Sequence, residues 1–222
     1  MYTNYKIFDS HSHFAPSNTE VFSIQNWDYW KDNEPIPQGH HSIGLHPWHL
    51  SKMKNQNDVE TFLQDRIGHP LCLAVGEVGL DYFRSDVSRE QQEMIFEWVL
   101  NVSFEFPQKP LIIHSVRSES QIVKILNETK RLGPVIWHNY LLNQYPKTNF
   151  DLYASVSPRI LKLKLDRRLK IISNIPSDKI LIESDDRIGD YSSLKSFMNE
   201  TGFIDDENIA KNTIKVFSLY SR

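Results

Sequence analysis

Leu71-Cys72-Leu73-Ala74-Val75, running into Gly76-Glu77, sets the pattern from which the fold is read. Five apolar residues follow one another without interruption, and a carboxylate closes the run. A strand with one wet face alternates apolar and polar residues, whereas a strand buried on both faces does not. The stretch therefore reads as a strand of a parallel sheet covered by helices. Cys72 is the chain's one cysteine, which excludes an internal disulfide and a cysteine-rich zinc site. Its apolar setting makes it a small buried side chain.

Similar runs recur on either side: Lys6–Asp9, Val21–Ile24 and Ser42–Leu45 before it, Leu111–Ile113, Val135–Trp137, Leu152–Ser155 and Ile180–Ile182 after it. Amphipathic stretches lie between the later runs. Ser88-Arg89-Glu90-Gln91 looks like a helix start, and Met94, Ile95, Trp98, Val99 and Val102 keep helical spacing behind it. Ser118–Leu132 repeats the pattern up to Gly133-Pro134, and Leu161–Ile172 and Glu207–Leu219 add two more. Strands alternating with helices predict an α/β chain folded as a (β/α)8 TIM-type barrel. The barrel is expected to be trimmed in its first two βα units. Phe14–Glu20 is too short for a crossover helix, and Gln25–His41, rich in Trp, Asn and Pro, does not read as one.

Reactive residues of such a barrel belong at the C-terminal ends of its strands. The chain places ionisable groups there repeatedly. Strand one ends in Asp9-Ser10-His11-Ser12-His13, strand four in Glu77, strand five in His114, strand six in His138, and strand eight in Glu183-Ser184-Asp185. Residues two apart on an extended segment point the same way, so His11 and His13 can share a metal. Four imidazoles and two carboxylates suit two adjacent divalent ions, with Glu77 able to bridge them.

The 222 residues carry 25 basic and 28 acidic side chains, a net charge of −3, so no global basic field draws nucleic acid. Any such binding must come from a local patch or from metal. There is no linker or repeat, and one domain spanning 1–222 is expected. The opening MYTNYKIFDSHSHF has no secretory pattern, and no window approaches the roughly 20 apolar residues of a membrane span. A cytoplasmic, monomeric protein is the default expectation.

Six segments carry a family likeness: FDSHSHF at 8–14, SIGLHPW at 42–48, AVGEVGLDYF at 74–83, PLIIHSVRS at 110–118, VIWHNY at 135–140 and LIESDD at 181–186. They resemble the TatD family of metal-dependent deoxyribonucleases, within the amidohydrolase-like barrels. KNTIKVFSL at 211–219 resembles the family's terminal Asn-x-x-x-x-Phe helix. The resemblance implies a TIM-type barrel, hydrolysis of phosphodiester bonds in DNA, and magnesium, manganese or zinc as the metal. It puts the ligands on His11, His13, Glu77, His114, His138 and Asp185, the set chosen by the strand-end argument. The chain also departs from the family. Its first βα units are shortened, the arginine after the strand-five histidine comes one place late as Arg117, Trp48 replaces a histidine with His49 following, and Ser184 replaces a threonine.

The mechanism expected from these residues is attack on phosphorus by a two-metal-activated hydroxide, with Asp185 and Glu77 as the catalytic carboxylates. Asp185 would orient the water or take its proton. Arg117 is read either as a phosphate partner or as a solvent-facing residue at a helix start. His46 and His49 either contact substrate at the mouth or, for His46-Pro47, simply cap strand three. Asp81 is expected to support the metal ligands, Asp9 to hold the first loop, and Glu183 to reach a metal or face the wall. Trp27, Tyr29 and Trp30 either stack on bases or pack over the shortened barrel. The basic run Lys162–Lys170 is read as a solvated helix face. Two rival readings remain: a hydrolase of the same barrel acting on an amide, ester or lactone, and a non-catalytic barrel that binds nucleic acid. The absence of a strand-end lysine and the presence of GEVGLD favour the nuclease, and a complete ligand set disfavours the non-catalytic barrel.

Overall fold

A computed structural model describes residues 5–31, 35–53, 55–129 and 133–219. Eight parallel strands pair in chain order, β1 (Ile7–Ser12), β2 (Val21–Asp28), β3 (His41–Gly44), β4 (Cys72–Asp81), β5 (Leu111–Val116), β6 (Val135–Trp137), β7 (Leu152–Val156) and β8 (Ile180–Ile182). Every residue of β3, β4, β6, β7 and β8 is buried, as expected for strands covered on both faces. The helices are α1 (Gln56–Ile67), α2 (Arg89–Ser103), α3 (Glu119–Glu128), α4 (Leu165–Ser173), α5 (Tyr191–Glu200) and α6 (Asp206–Val216). The Ser88 start is a reciprocal cap, in which Ser88 Oγ accepts from the Gln91 N–H and Gln91 Oε1 accepts from the Ser88 N–H.

The barrel is trimmed where the sequence predicts it. β1 reaches β2 without a helix, and among the described residues between β2 and β3 there is one short 3-10 turn, Tyr29–Lys31. β6 to β7 also lacks a helix. β2 runs four residues further than Val21–Ile24, which moves Trp27 out of the irregular loop and into the core, 2% exposed and stacked on Phe62 at 5.5 Å. Tyr29 is buried beside it, and only Trp30 of that trio lines the mouth. The helical stretch Leu161–Ile172 is broken into a 3-10 turn at Pro158–Lys162 and α4. Leu132, placed at the end of the Ser118 helix, lies outside the described residues.

The barrel closes at its chemical end. The Asp185 N–H donates to the His11 carbonyl at 3.0 Å, and the His13 N–H returns a bond to the Asp185 carbonyl at 3.1 Å. Below this seam Ser10 Oγ donates to the Ile182 carbonyl, and α6 straps the outside, with Asn212 Nδ2 donating to the carbonyls of Ser177 and Ile180. Phe217, which ends that helix, is buried against Phe22. No helix among the described residues is long and apolar enough to cross a membrane.

Candidate metal centre

Two bulges aim two of the expected ligands. Val75, Gly76 and Val78 pair successively with Leu111, Ile112 and Ile113, which leaves Glu77 as an extra residue of β4. An unpaired bulge residue is free of the sheet's alternation, and Glu77 turns its carboxylate into the barrel mouth. β1 gains a residue between Asp9 and Ser12, where His11 sits. His114 is part of β5, while His138 directly follows β6 and Asp185 lies just past β8.

The imidazoles gather around Glu77. His11 Nε2 lies 3.4 Å and His13 Nε2 3.8 Å from Glu77 Oε2, while His114 Nδ1 lies 2.6 Å and His138 Nε2 3.5 Å from Oε1. His13 Nε2 also lies 3.3 Å from Asp185 Oδ1. The outer nitrogens of two of these rings meet carboxylates. His114 Nε2 is 3.1 Å from Asp81 Oδ2, and His138 Nδ1 is 2.8 Å from Glu183 Oε1. In a metal-bound histidine a carboxylate behind the ring holds the hydrogen outside and leaves the lone pair for the metal. Without metal, both nitrogens of each ring face carboxylates, which raises both pKa values against burial. A cation at the centre would displace the inner hydrogen and take Nδ1 of His114 and Nε2 of His138.

His46 is built the other way round. The Trp48 backbone N–H donates to His46 Nδ1 at 3.1 Å, so the neutral ring must carry its hydrogen on Nε2. That nitrogen faces Glu77 Oε1 at 3.4 Å. Burial lowers the His46 pKa against the pull of Glu77, which keeps the ring neutral. His46 therefore offers a donor, and with Nδ1 already engaged by the Trp48 N–H it has no lone pair left for a cation.

The charges of the cluster hold one another. Burial raises the Glu77 pKa, but His138, His46 and the other imidazoles outweigh it and hold the carboxyl well below its ordinary value. Burial likewise opposes the ionisation of Asp185, which His13 and His138 overcome. Three residues at the strand ends have left-handed backbone without being glycine: Arg117 (φ 55°), Asn139 (φ 48°) and Asp185 (φ 54°). Such conformations cost about 1–3 kcal/mol each and collect at functional sites. Asn139 is held there by its N–H on Glu183 Oε1 and by Ser157 Oγ on its own Oδ1.

The cluster fits divalent metal. Both ring nitrogens of His11 and the Oε2 of Glu77 are buried and make no hydrogen bond among the described residues, a costly state that a cation relieves. Three sets of donor atoms lie within 4.8 Å of one another: His11, His138 and Asp185; His11, His13 and Glu77; and His46, Glu77 and His114. The tautomer of His46 removes it as a ligand from the last of these. A family model described as TatD related DNase matches residues 18–190.

The chain belongs to the TatD family. An uncharacterized metal-dependent hydrolase of Buchnera aphidicola subsp. Baizongia pistaciae is 28% identical over 149 residues, 65% of this chain and 54% of that protein. The 3′-5′ ssDNA/RNA exonuclease TatD of Edwardsiella piscicida is 26% identical over 149 residues, 65% of this chain and 56% of that one. The matched stretch spans about half the length of both relatives. The solved structure of YjjV, a TatD homolog of Escherichia coli K12, superposes with a TM-score of 0.70 at 18% identity, covering 96% of this chain and 98% of that one, which establishes the shared barrel.

The TatD cluster opens into a cavity of about 580 Å³ lined by His13, His46, His49, Glu77, His114, His138 and Asp185 among others. All six expected ligands lie together, and His46 and His49 reach the cavity. Arg117 does not line it; its guanidinium sits 4.4 Å from the centre of the exposed Phe83 ring. Asp81 and Glu183 back the two histidines, and Asp9 pins the barrel seam by accepting the Ser184 N–H at 2.9 Å. The sequence reading missed Arg159, which lines the cavity and donates from Nε to Asp185 Oδ2 at 3.0 Å and from Nη2 to Asp186 Oδ2 at 3.1 Å. Its signal was available: it follows the end of β7 as His138 and Asp185 follow β6 and β8. Also unread were Asn26, whose Oδ1 accepts the Glu77 N–H at 3.0 Å, and Asp28, which accepts the His46 N–H at 3.2 Å.

Proposed function

We propose that this TatD-family protein is a divalent-metal-dependent phosphodiesterase that cleaves DNA. The observation that carries the reading is the opposed pair of imidazoles, His114 and His138, each with one nitrogen on a carboxylate behind it and the other turned toward Glu77. That arrangement suits cation binding, because a carboxylate behind each ring would keep its hydrogen there and leave the inner nitrogen to the metal. The exonuclease name of one relative supports nucleic acid as the substrate class. His11, His13, Glu77, His114, His138 and Asp185 would hold two ions. Bound there, magnesium, manganese or zinc supplies a water of lowered pKa and positive charge against the phosphoryl oxygens.

The side chains do the rest. Asp185, with Oδ1 beside His13 and Oδ2 held by Arg159, orients the attacking water and takes its proton. His46 donates from Nε2 to a phosphate oxygen, a role its tautomer permits. Arg159 adds a guanidinium beside the same oxygens. A cavity of about 580 Å³ accepts a nucleotide-sized group with room for its neighbour.

The test uses metal-depleted protein, single-stranded DNA, and added Mg²⁺, Mn²⁺ or Zn²⁺, beside an Asp185→Asn variant. Metal-dependent cleavage that the variant loses is expected. Cleavage in the absence of metal, or equal cleavage by the variant, overturns the proposal.

A further inference from the structure

Phe83 stands on the lip of the cavity with 60% of its surface exposed. Single exposed apolar residues are ordinary, but this one is built in from two sides. Its backbone N–H and that of Arg84 donate to Asp81 Oδ1 at 2.9 and 2.8 Å. Asp81 is the carboxylate behind His114, so the position of the ring is tied to the metal centre. The Arg117 guanidinium lies 4.4 Å from the ring centroid, presented from a left-handed backbone at φ 55°. Strain spent on a solvent-exposed arginine calls for a purpose, and here it serves to brace the ring.

The pattern repeats alongside. Arg84 lies over the Trp48 ring at 5.1 Å, and the Trp48 indole N–H donates to Asp81 Oδ2 at 2.6 Å. Both rings line the cavity. This wall of the mouth thus carries aromatic faces paired with guanidinium groups. Planar rings beside fixed cations recognise unstacked nucleobases, with the cations facing the adjoining phosphates. A base inside a duplex has both faces covered by its neighbours and cannot use such a ring.

We propose that Phe83, braced by Arg117, is a stacking platform for an unpaired base and makes the site select single-stranded nucleic acid over duplex. The inference rests on the nucleic-acid reading of the cavity and adds a specificity residue to it. It uses only the Phe83 ring, so it can be separated from the chemistry of the metal centre.

The experiment uses the full chain loaded with Mn²⁺. Binding is followed with a phosphorothioate oligonucleotide carrying 2-aminopurine near its end, whose fluorescence falls when the base stacks. Turnover is followed as the ratio of kcat/KM for a single-stranded oligonucleotide to kcat/KM for bis(p-nitrophenyl) phosphate, which has no base to stack. Wild type is expected to quench the probe. Phe83→Ala should lose the quench, weaken binding about tenfold and lower the ratio by a similar factor. Phe83→Tyr should restore both, Phe83→Leu neither, and the preference for single strand over blunt duplex should shrink in the Ala and Leu variants. Absence of quenching in wild type overturns the inference, as does a wild-type ratio in Phe83→Ala or equal rescue by Leu and Tyr. Quenching by a wild-type protein that hydrolyses neither substrate overturns the phosphodiesterase reading and supports the platform.

Discussion

Glu183 Oε1 lies 2.8 Å from His138 Nδ1, while the other nitrogen of that ring faces Glu77 Oε1 at 3.5 Å. The same Glu183 oxygen accepts the Asn139 N–H at 2.8 Å, so one fully buried carboxylate fixes both the ring and the strained residue after it. Removing such a backing group weakens metal affinity about 10–100-fold. Glu183→Gln keeps a carbonyl acceptor but loses the charge, and should lie at the low end of that range. Glu183→Ala should lie at the high end. Calorimetric titration of metal-depleted protein with Mn²⁺ measures both. Affinities equal to wild type would show that the ring is oriented by something else.

The same pairing makes stability depend on pH in opposite ways with and without metal. In the metal-free protein burial pulls the His138 pKa down, but Glu183 and Glu77 overcome it and push it from its ordinary 6.5 up to about 10. A base raised in this way stabilises the fold fully below 6.5 and loses that contribution as the pH climbs to about 10. Burial raises Asp9 and Asp28 to about 7, so each favours the fold less as pH rises from 3.8 to that value. Glu77 and Asp185 are shifted down, so their contribution is present above their ordinary 4.5 and 3.8 and is lost in acid. Metal-free protein should therefore melt highest near pH 5 and progressively lower towards pH 9. Metal ligands must be unprotonated, so the rise in Tm on adding Mn²⁺ should grow from pH 5.5 to 8. Thermal melts in EDTA and in Mn²⁺ across that range decide it, and a metal-free Tm that climbs above pH 7 would contradict the assignment.

The residues that gather around Glu77 were legible because several close or end an apolar run: Glu77 after Leu71–Val75, His114 after Leu111–Ile113, His138 after Val135–Trp137. The far half of β2 was not, because Asn26 and Asp28 are spent holding Glu77 and His46 and break the apolar run. Trp27 then looks like a loop aromatic, although it is core. α1 buries Val59, Phe62, Leu63 and Ile67 behind an Asn55 cap, but the polar residues between them leave its apolar stripe weaker than those of the later helices. The bulges at His11 and Glu77 have no sequence mark of their own; they depend on register between strands distant in the chain. The tautomer of His46 is likewise invisible before the Trp48 N–H is placed behind it.

Arg159 joins Asp185 to the exposed Asp186 across the mouth. Its pKa is raised, since burial opposes the charge but Asp185 and Asp186 more than compensate. Arg159→Met leaves Asp185 Oδ2 without this partner and removes a cation from the phosphate side. The expected loss in kcat/KM for single-stranded DNA is about 10–100-fold, following the cost of losing a charge-assisted bond. Asp186→Asn should cost no more than a few-fold, because its side chain is 48% exposed and solvent screens the pair. Steady-state kinetics on the two variants separate them. Equal losses would mean that Arg159 acts through Asp186 and not through Asp185.

Gly79 sits at φ 141° on β4, opposite His114, and a Cβ built there would lie 2.1 Å from the His114 carbonyl oxygen. Neither the backbone angle nor the contact can be relieved by turning a side chain, because the obstacle is main chain. Gly79→Ala should therefore push β5 away from β4 and cost on the order of 3 kcal/mol in a denaturant titration. The damage should also reach function, because His114 moves with its carbonyl: Mn²⁺ affinity should fall even at temperatures where the variant stays folded. Gly189→Ala is the control, since a Cβ there meets nothing within 4 Å. A Gly79→Ala protein that is as stable as wild type and binds Mn²⁺ equally well would mean that β4 and β5 are less closely held than the placement of Glu77 against His114 requires.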